Sequence, residues 1–181
     1  MSGEDLLQLL ADAEDVGYIG ESVSQLAHAL QCAALAAERD GSDALVAASL
    51  LHDIGHLCAA ADAPTMAGLG VLDHETIGGD AARSAGLGED VASLITSHVA
   101  AKRYLVARSD SYRRKLSPAS QGTLEFQGGP MSPDEVRRFE ADPLAESILR
   151  LRAWDEEAKN PEITVPSLES YRGVLQRLAS V

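Results

Sequence analysis

Ala44-Leu45-Val46-Ala47-Ala48-Ser49-Leu50-Leu51-His52-Asp53-Ile54-Gly55-His56 is an apolar run that ends in side chains with metal-ligand chemistry. The run is too uniformly apolar for a surface helix. It reads as a buried one, started by Ser42 or Asp43 and continuing to residue 58. An imidazole and a carboxylate placed where such a helix continues are costly to bury unless a cation neutralises them. A bound metal ion does so, and this stretch therefore points to a metal centre assembled inside a helical bundle.

The rest of the chain agrees with that reading. Residues 22–39 carry Val23, Leu26, Ala27, Leu30, Ala34 and Leu35 close to a helical period, with Ser22 or Ser24 as N-cap and Gly41 beyond the end. His74 opens or precedes a helix ending near Gly86. Residues 89–108 form another, whose Glu89 and Asp90 suit the positive end of the helix dipole. Residues 109–131 contain Ser117-Pro118 and Gly128-Gly129-Pro130 and predict short helices and a functional loop. Ser132-Pro133-Asp134-Glu135 starts a further helix, and residues 143–159 and 167–180 supply the last two. No alternating β pattern, internal repeat or low-complexity tract is present. The expected architecture is one all-α domain over 1–181.

Composition narrows the function classes. A hydrophobic content of 45% excludes a disordered chain, and 181 residues suit one sizeable core. No apolar stretch reaches the roughly 18 residues of a membrane span. Met1-Ser2-Gly3-Glu4-Asp5 lacks the basic start of a signal peptide. Two cysteines, Cys32 and Cys58, make no disulfide framework and read as small core residues of a cytoplasmic protein. A net charge of −13 argues against nucleic acid as a partner. It also means that any small anionic substrate must be held by a few placed Lys or Arg side chains.

The candidate ligands are His28, His52, Asp53, His74, His98 and Asp155. A lone buried histidine is ordinarily a satisfied core residue, and Asp155 alone serves as readily as a partner for Arg152. The joint pattern of His, His-Asp-x-x-His, His, His and a late Asp is what points to metal. Six ligands with Asp53 shared suit two ions with open positions, and imidazole plus carboxylate suits iron or manganese better than structural zinc. His56, one turn after His52, is expected to share its face and look towards substrate. Lys102 lies one turn beyond His98, and Arg152 lies three residues before Asp155, each on its ligand's face. Ser117-Pro118-Ala119-Ser120 and Gln127-Gly128-Gly129-Pro130-Met131 offer neutral donors on a loop. With the metal set, Lys102, Arg152, Ser120 and Gln127 make an oxyanion pocket.

The His…His-Asp…Asp pattern resembles the HD-domain superfamily of helical metal-dependent enzymes, and His74 and His98 resemble the extra ligands of its dinuclear branch. More specific stretches are YIGE at 18–21, QLAHALQCA at 25–33, LLHDIGH at 50–56, DHE at 73–75, HVAAKRYL at 98–105, LSPAS at 116–120, QGGPM at 127–131 and RAWDE at 152–156. With these the chain resembles the mixed-valent diiron phosphonate oxygenases of that superfamily. The resemblance implies an HD-domain helical bundle, two iron ions as Fe(II)/Fe(III), and O2 as co-substrate. It implies a small-molecule 1-hydroxyalkylphosphonate substrate with a 2-amino or 2-trimethylammonio group, cleaved at its C–P bond to phosphate and glycine or glycine betaine. Lys102, Arg152 and Ser120 would hold the phosphonate, and His56 the hydroxyl. Glu21 would pair with the substrate cation, and Tyr18 would fill an iron position until substrate displaces it. An aromatic content of 4% leans towards the primary amine, since a quaternary ammonium favours an aromatic cage. Loop 57–70 is Ala-rich and offers no diagnostic residue. The competing enzyme class is an HD phosphohydrolase, which shares the ligands but has no need of Tyr18 and Glu21. An interaction scaffold has no reason to keep six buried ligands. The sequence leaves oligomeric state open.

Overall fold

The structure is a computed structural model and describes residues 1–18 and 20–180; Ile19, inside the Tyr18–Glu21 stretch, lies outside the described residues. Among the described residues there is no strand. The elements are α1 (Gly3–Asp12), α2 (Gln25–Arg39), α3 (Asp43–Leu51), α4 (Gly55–Cys58), α5 (His74–Ser84) and α6 (Glu89–Arg108). They continue with α7 (Asp110–Lys115), α8 (Pro118–Phe126), α9 (Pro133–Glu140), α10 (Ala145–Glu157), a 3-10 turn at Leu168–Tyr171 and α11 (Arg172–Leu178). The all-α expectation holds.

The buried α3 packs against α2, α6, α10 and α11, so its uniform apolarity is the signature of a helix enclosed by neighbours. Ser42 starts it, its hydroxyl accepting from the Leu45 amide at 3.3 Å, and Ser24 starts α2 in the same way. α1 is a helix that the sequence reading did not assign. A capping box between Ser2 and Asp5 starts it, and Leu6, Leu7 and Leu10 bury its inner face.

Two expectations need correction. The helix expected over 43–58 is interrupted: α3 ends at Leu51, and His52–Ile54 form a turn before α4. There the amides of Ile54, His56 and Leu57 bond the carbonyls three residues back, Leu51, Asp53 and Ile54, at 2.9–3.0 Å. The cause is tertiary. The backbone at Gly55 lies against α5, where a Cβ would fall 2.7 Å from the His74 carbonyl carbon and 2.9 Å from the Gly78 nitrogen. Second, Ser117–Ser120 is not a loop. Ser117 caps α8, accepting from the Ser120 amide at 3.2 Å, and Pro118 occupies the first turn. The glycines after α8 do not offer their amides to a site either: Gly129 donates to Leu124 at 2.9 Å, and Arg103 holds the Gly129 carbonyl at 2.9 Å.

No helix among the described residues is long and apolar enough to cross a membrane.

Candidate metal centre

Five elements converge on one buried spot. α2 supplies His28, the turn after α3 supplies His52 and Asp53, and the first residue of α5 is His74. The middle of α6 supplies His98 and α10 supplies Asp155. Asp73, before His74, adopts a left-handed backbone (φ +57°), a strained conformation that Asp tolerates better than most residues and that sets the start of α5.

Each of these four histidines is oriented by a backbone carbonyl at Nδ1. The partners are Ala158 for His28 (2.7 Å), Ser49 for His52 (2.9 Å), Val71 for His74 (3.3 Å) and Ile95 for His98 (2.7 Å). A ring that donates from Nδ1 and carries no second proton turns the lone pair of Nε2 inward. The Nε2 atoms of His28 and His52 then stand 3.2 Å apart, as do those of His74 and His98. Two lone pairs facing each other at that distance cannot satisfy one another, whereas a cation between them satisfies both.

Asp53 divides its oxygens between the two pairs. Its Oδ2 lies 3.3 Å from His52 Nε2 and 4.0 Å from His28 Nε2, and its Oδ1 lies 3.4 Å from His74 Nε2 and 3.5 Å from His98 Nε2. Asp155 Oδ1 joins the first pair, 3.3 Å from His28 and 3.9 Å from His52. Burial pushes both carboxyls up, yet His52 and His74 around Asp53, and Arg152 and His28 around Asp155, hold them well below the usual carboxylate range. Cys32 comes closer than the sequence implied, its sulfur 3.7 Å from His28 Nε2. Burial pushes its thiol well up, which disfavours the thiolate, although its sulfur stands with His28 and His52 close enough to share an ion. The donor set of four imidazoles and two carboxylates fits two hard-to-borderline divalent ions.

Beside the cluster opens a cavity of about 70 Å3. One wall is cationic. Lys102, 4% exposed, has only neutral partners, the Thr123 hydroxyl at 2.7 Å and the Ser120 carbonyl at 3.4 Å. Burial and the nearby Arg152 lower its ammonium to about 7 against the pull of Asp155 and Asp53. Arg152 holds Asp155 through one nitrogen and Glu156 through Nε, while its buried Nη2 has no partner. The buried Gln127 Oε1 is likewise unpartnered. Ser120 lines the same wall from the first turn of α8.

His56 does not continue the His52 face as a single helix would have it. Its ring stacks on His74 with centroids 4.1 Å apart, and its Nδ1 accepts from the Val71 amide at 3.1 Å. Burial lowers it to about 4, so it is neutral and Nε2 carries its proton at the cavity. Tyr18 stacks on His28 at 3.9 Å, and its hydroxyl donates to Asp155 Oδ1 at 3.5 Å, placing it against the cluster. Glu21 also reaches the cavity, where it bonds Lys159 Nζ at 2.7 Å.

Every residue proposed from sequence thus reaches this one region. The lining residues that were not singled out include Lys159, Thr123, Leu69 and Met66. The last two belong to loop 57–70, which supplies an apolar wall after all.

No protein-family model matches the chain. Two curated relatives carry an activity in their names. A hydroxymethylphosphonate dioxygenase of Gimesia maris is 38% identical, covering 93% of this chain and 85% of its own length. A [1-hydroxy-2-(trimethylamino)ethyl]phosphonate dioxygenase (glycine-betaine-forming) of Leisingera caerulea is 34% identical, covering 91% and 83%. An uncharacterized protein of Acanthamoeba polyphaga mimivirus is 40% identical over 87% of this chain and 73% of its own. At that identity and coverage, with a His/Asp cluster fit to hold metal beside a cationic wall, the chain belongs to the phosphonate dioxygenases.

Proposed function

We propose that this enzyme uses two iron ions and O2 to cleave the C–P bond of a 1-hydroxyalkylphosphonate. The hydroxylated carbon leaves as a carboxylic acid and the phosphorus as inorganic phosphate, with the two atoms of O2 completing the balance. For the 2-amino or 2-trimethylammonio substrates expected from the sequence, the acid is glycine or glycine betaine. The observation that carries the reading is the division of Asp53 between two histidine pairs, next to a cationic wall on which Arg152 Nη2 is a donor without a partner among the described residues. His28, His52 and Asp155 would hold one iron, His74 and His98 the other, and Asp53 both. Bound iron would supply Lewis acidity towards the hydroxyl and phosphonate oxygens and the electron that activates O2.

The chain's own residues do the rest. Lys102, Arg152 Nη2, Ser120 and Gln127 bind and orient the phosphonate. His56 Nε2–H is placed to donate to the substrate hydroxyl. Tyr18 keeps its phenol protonated, because burial and then Asp53 and Asp155 push it well up. It covers the His28 side of the centre against water. Free thiols at Cys32 and Cys58 and the acidic exterior fit a cytoplasmic enzyme without nucleic-acid partners.

The test is phosphate release from hydroxyphosphonates with and without O2, alongside metal analysis. O2-dependent release, two irons per chain and a mixed-valence EPR signal support the reading. Hydrolysis of a phosphate ester without O2, on manganese or magnesium, would replace it with the phosphohydrolase.

Lys102→Met should lower kcat/KM by about 30- to 1000-fold, mainly through KM, as loss of a charged contact of about 2–4 kcal/mol requires. The ammonium is charged below about pH 7 in the free enzyme and neutral above it. Wild-type kcat/KM should therefore fall as pH rises through that value, and the variant should lack this limb. An unchanged KM removes Lys102 from the anion site.

A further inference from the structure

The cavity already contains a cation. Lys159 Nζ lies 2.7 Å from Glu21 Oε1 and 5.7 Å from the centroid of the Tyr18 ring. Among the carboxylates lining the cavity, Asp53 and Asp155 belong to the metal cluster, which leaves Glu21 as the one available to a substrate ammonium. Among the described residues, Tyr18 is the only phenyl-type ring in the lining. A carboxylate with an aromatic face is the corner that recognises an ammonium group, primary or quaternary. Here the chain's own ammonium stands in it.

Lys159 is held there from both sides. It follows α10 directly, and the carbonyl before it, Ala158, accepts from His28 Nδ1 at 2.7 Å. The residue after it, Asn160, exchanges two bonds with the Gln31 side chain: Gln31 Nε2 donates to its carbonyl at 2.9 Å, and its amide donates to Gln31 Oε1 at 3.2 Å. On the other side of the pair, Glu21 sits on a tight turn. Its amide bonds the Tyr18 carbonyl at 3.0 Å, and Gly20 takes φ +76°, where a Cβ would lie 2.9 Å from Ala119 Cβ. Lys159 and Glu21 side chains are 19% and 16% exposed, so the pair is shielded from most of the solvent.

We propose that Lys159 is a specificity-determining residue: its ammonium is a resident counter-cation for Glu21 that disfavours substrates bringing their own ammonium group. The site then prefers a short hydroxyphosphonate without an amine. This rests on the reading of the cavity as a hydroxyphosphonate site. An aminated substrate must displace Lys159 from both Glu21 and the Tyr18 face before it can seat.

Two measurements on the iron-loaded enzyme test it. Turnover of hydroxymethylphosphonate is compared with that of 2-amino-1-hydroxyethylphosphonate in wild type, Lys159→Met and Lys159→Arg. The ratio of kcat/KM, aminated over non-aminated, should rise at least tenfold in Lys159→Met and stay near wild type in Lys159→Arg. Calorimetry then compares ethylphosphonate with 2-aminoethylphosphonate, which lack the hydroxyl, so that binding is read without turnover. Wild type should favour ethylphosphonate by tenfold or more, and Lys159→Met should narrow that gap by a similar factor. An unchanged ratio in Lys159→Met, or tighter wild-type binding of the amine, overturns the role of Lys159 while leaving C–P cleavage intact. Discrimination in binding without O2-dependent phosphate release would support Lys159 and sink the proposed reaction instead.

Discussion

Asp53→Ala is expected to leave at most one iron per chain and to lower turnover by about a thousandfold or more, since loss of a residue that only orients a ligand already costs about 10- to 100-fold. The geometry gives the reason. Oδ2 faces His28 and His52 while Oδ1 faces His74 and His98, so one truncation removes a donor from both histidine pairs. Asp53→Asn keeps the shape and removes the charge, and the same loss is expected of it. Elemental analysis and phosphate release on both variants, with circular dichroism to confirm the fold, make the check. Two irons retained in either variant would show that Asp53 serves one ion or neither.

Gly55→Ala should lower stability by about 3 kcal/mol, a shift of about 6–12 °C in Tm for a chain of this size. The added methyl meets backbone, the His74 carbonyl and the Gly78 amide, and backbone cannot rotate aside as a side chain does. Relief requires α4 and α5 to separate, which moves His74 away from Asp53 and His98. The variant should therefore also bind iron more weakly, although Gly55 touches no substrate or ion. Thermal unfolding and iron content, measured together, decide the matter. A Tm within 2 °C of wild type would mean that the contact between α4 and α5 is looser than drawn here.

The cluster of candidate ligands was legible because burying a titratable group leaves a mark on sequence: His52 and Asp53 interrupt an apolar run, and His98 and Asp155 do so more quietly. Helix starts were legible wherever Ser preceded the run, as at Ser24, Ser42 and Ser132, because a cap is a local interaction. The break at His52–Ile54 was not, since α5 imposes it from outside and local propensity carries no trace of that. The first turn of α8 was mistaken for a loop because Ser-Pro serves both. Lys159 escaped notice for a different reason. It reads as the exposed last residue of the helix expected over 143–159, ahead of Asn160-Pro161, and only the docking of α10 on α2 brings it to Glu21. Thr123 became visible only through the amine that it receives.

The order in which the donors occur along the chain bears on how the protein is made. Synthesis runs from the N-terminus, and five of the six candidate ligands lie before residue 99, whereas Asp155 and Arg152, the guanidinium of the cationic wall, come late on α10. The Ala158 carbonyl that orients His28 comes later still. A nascent chain therefore cannot assemble the whole centre until the residues up to Ala158 have left the ribosome. Until then it lacks the guanidinium that would seat a substrate, so an incomplete product has neither a finished metal site nor a substrate on which to turn oxygen.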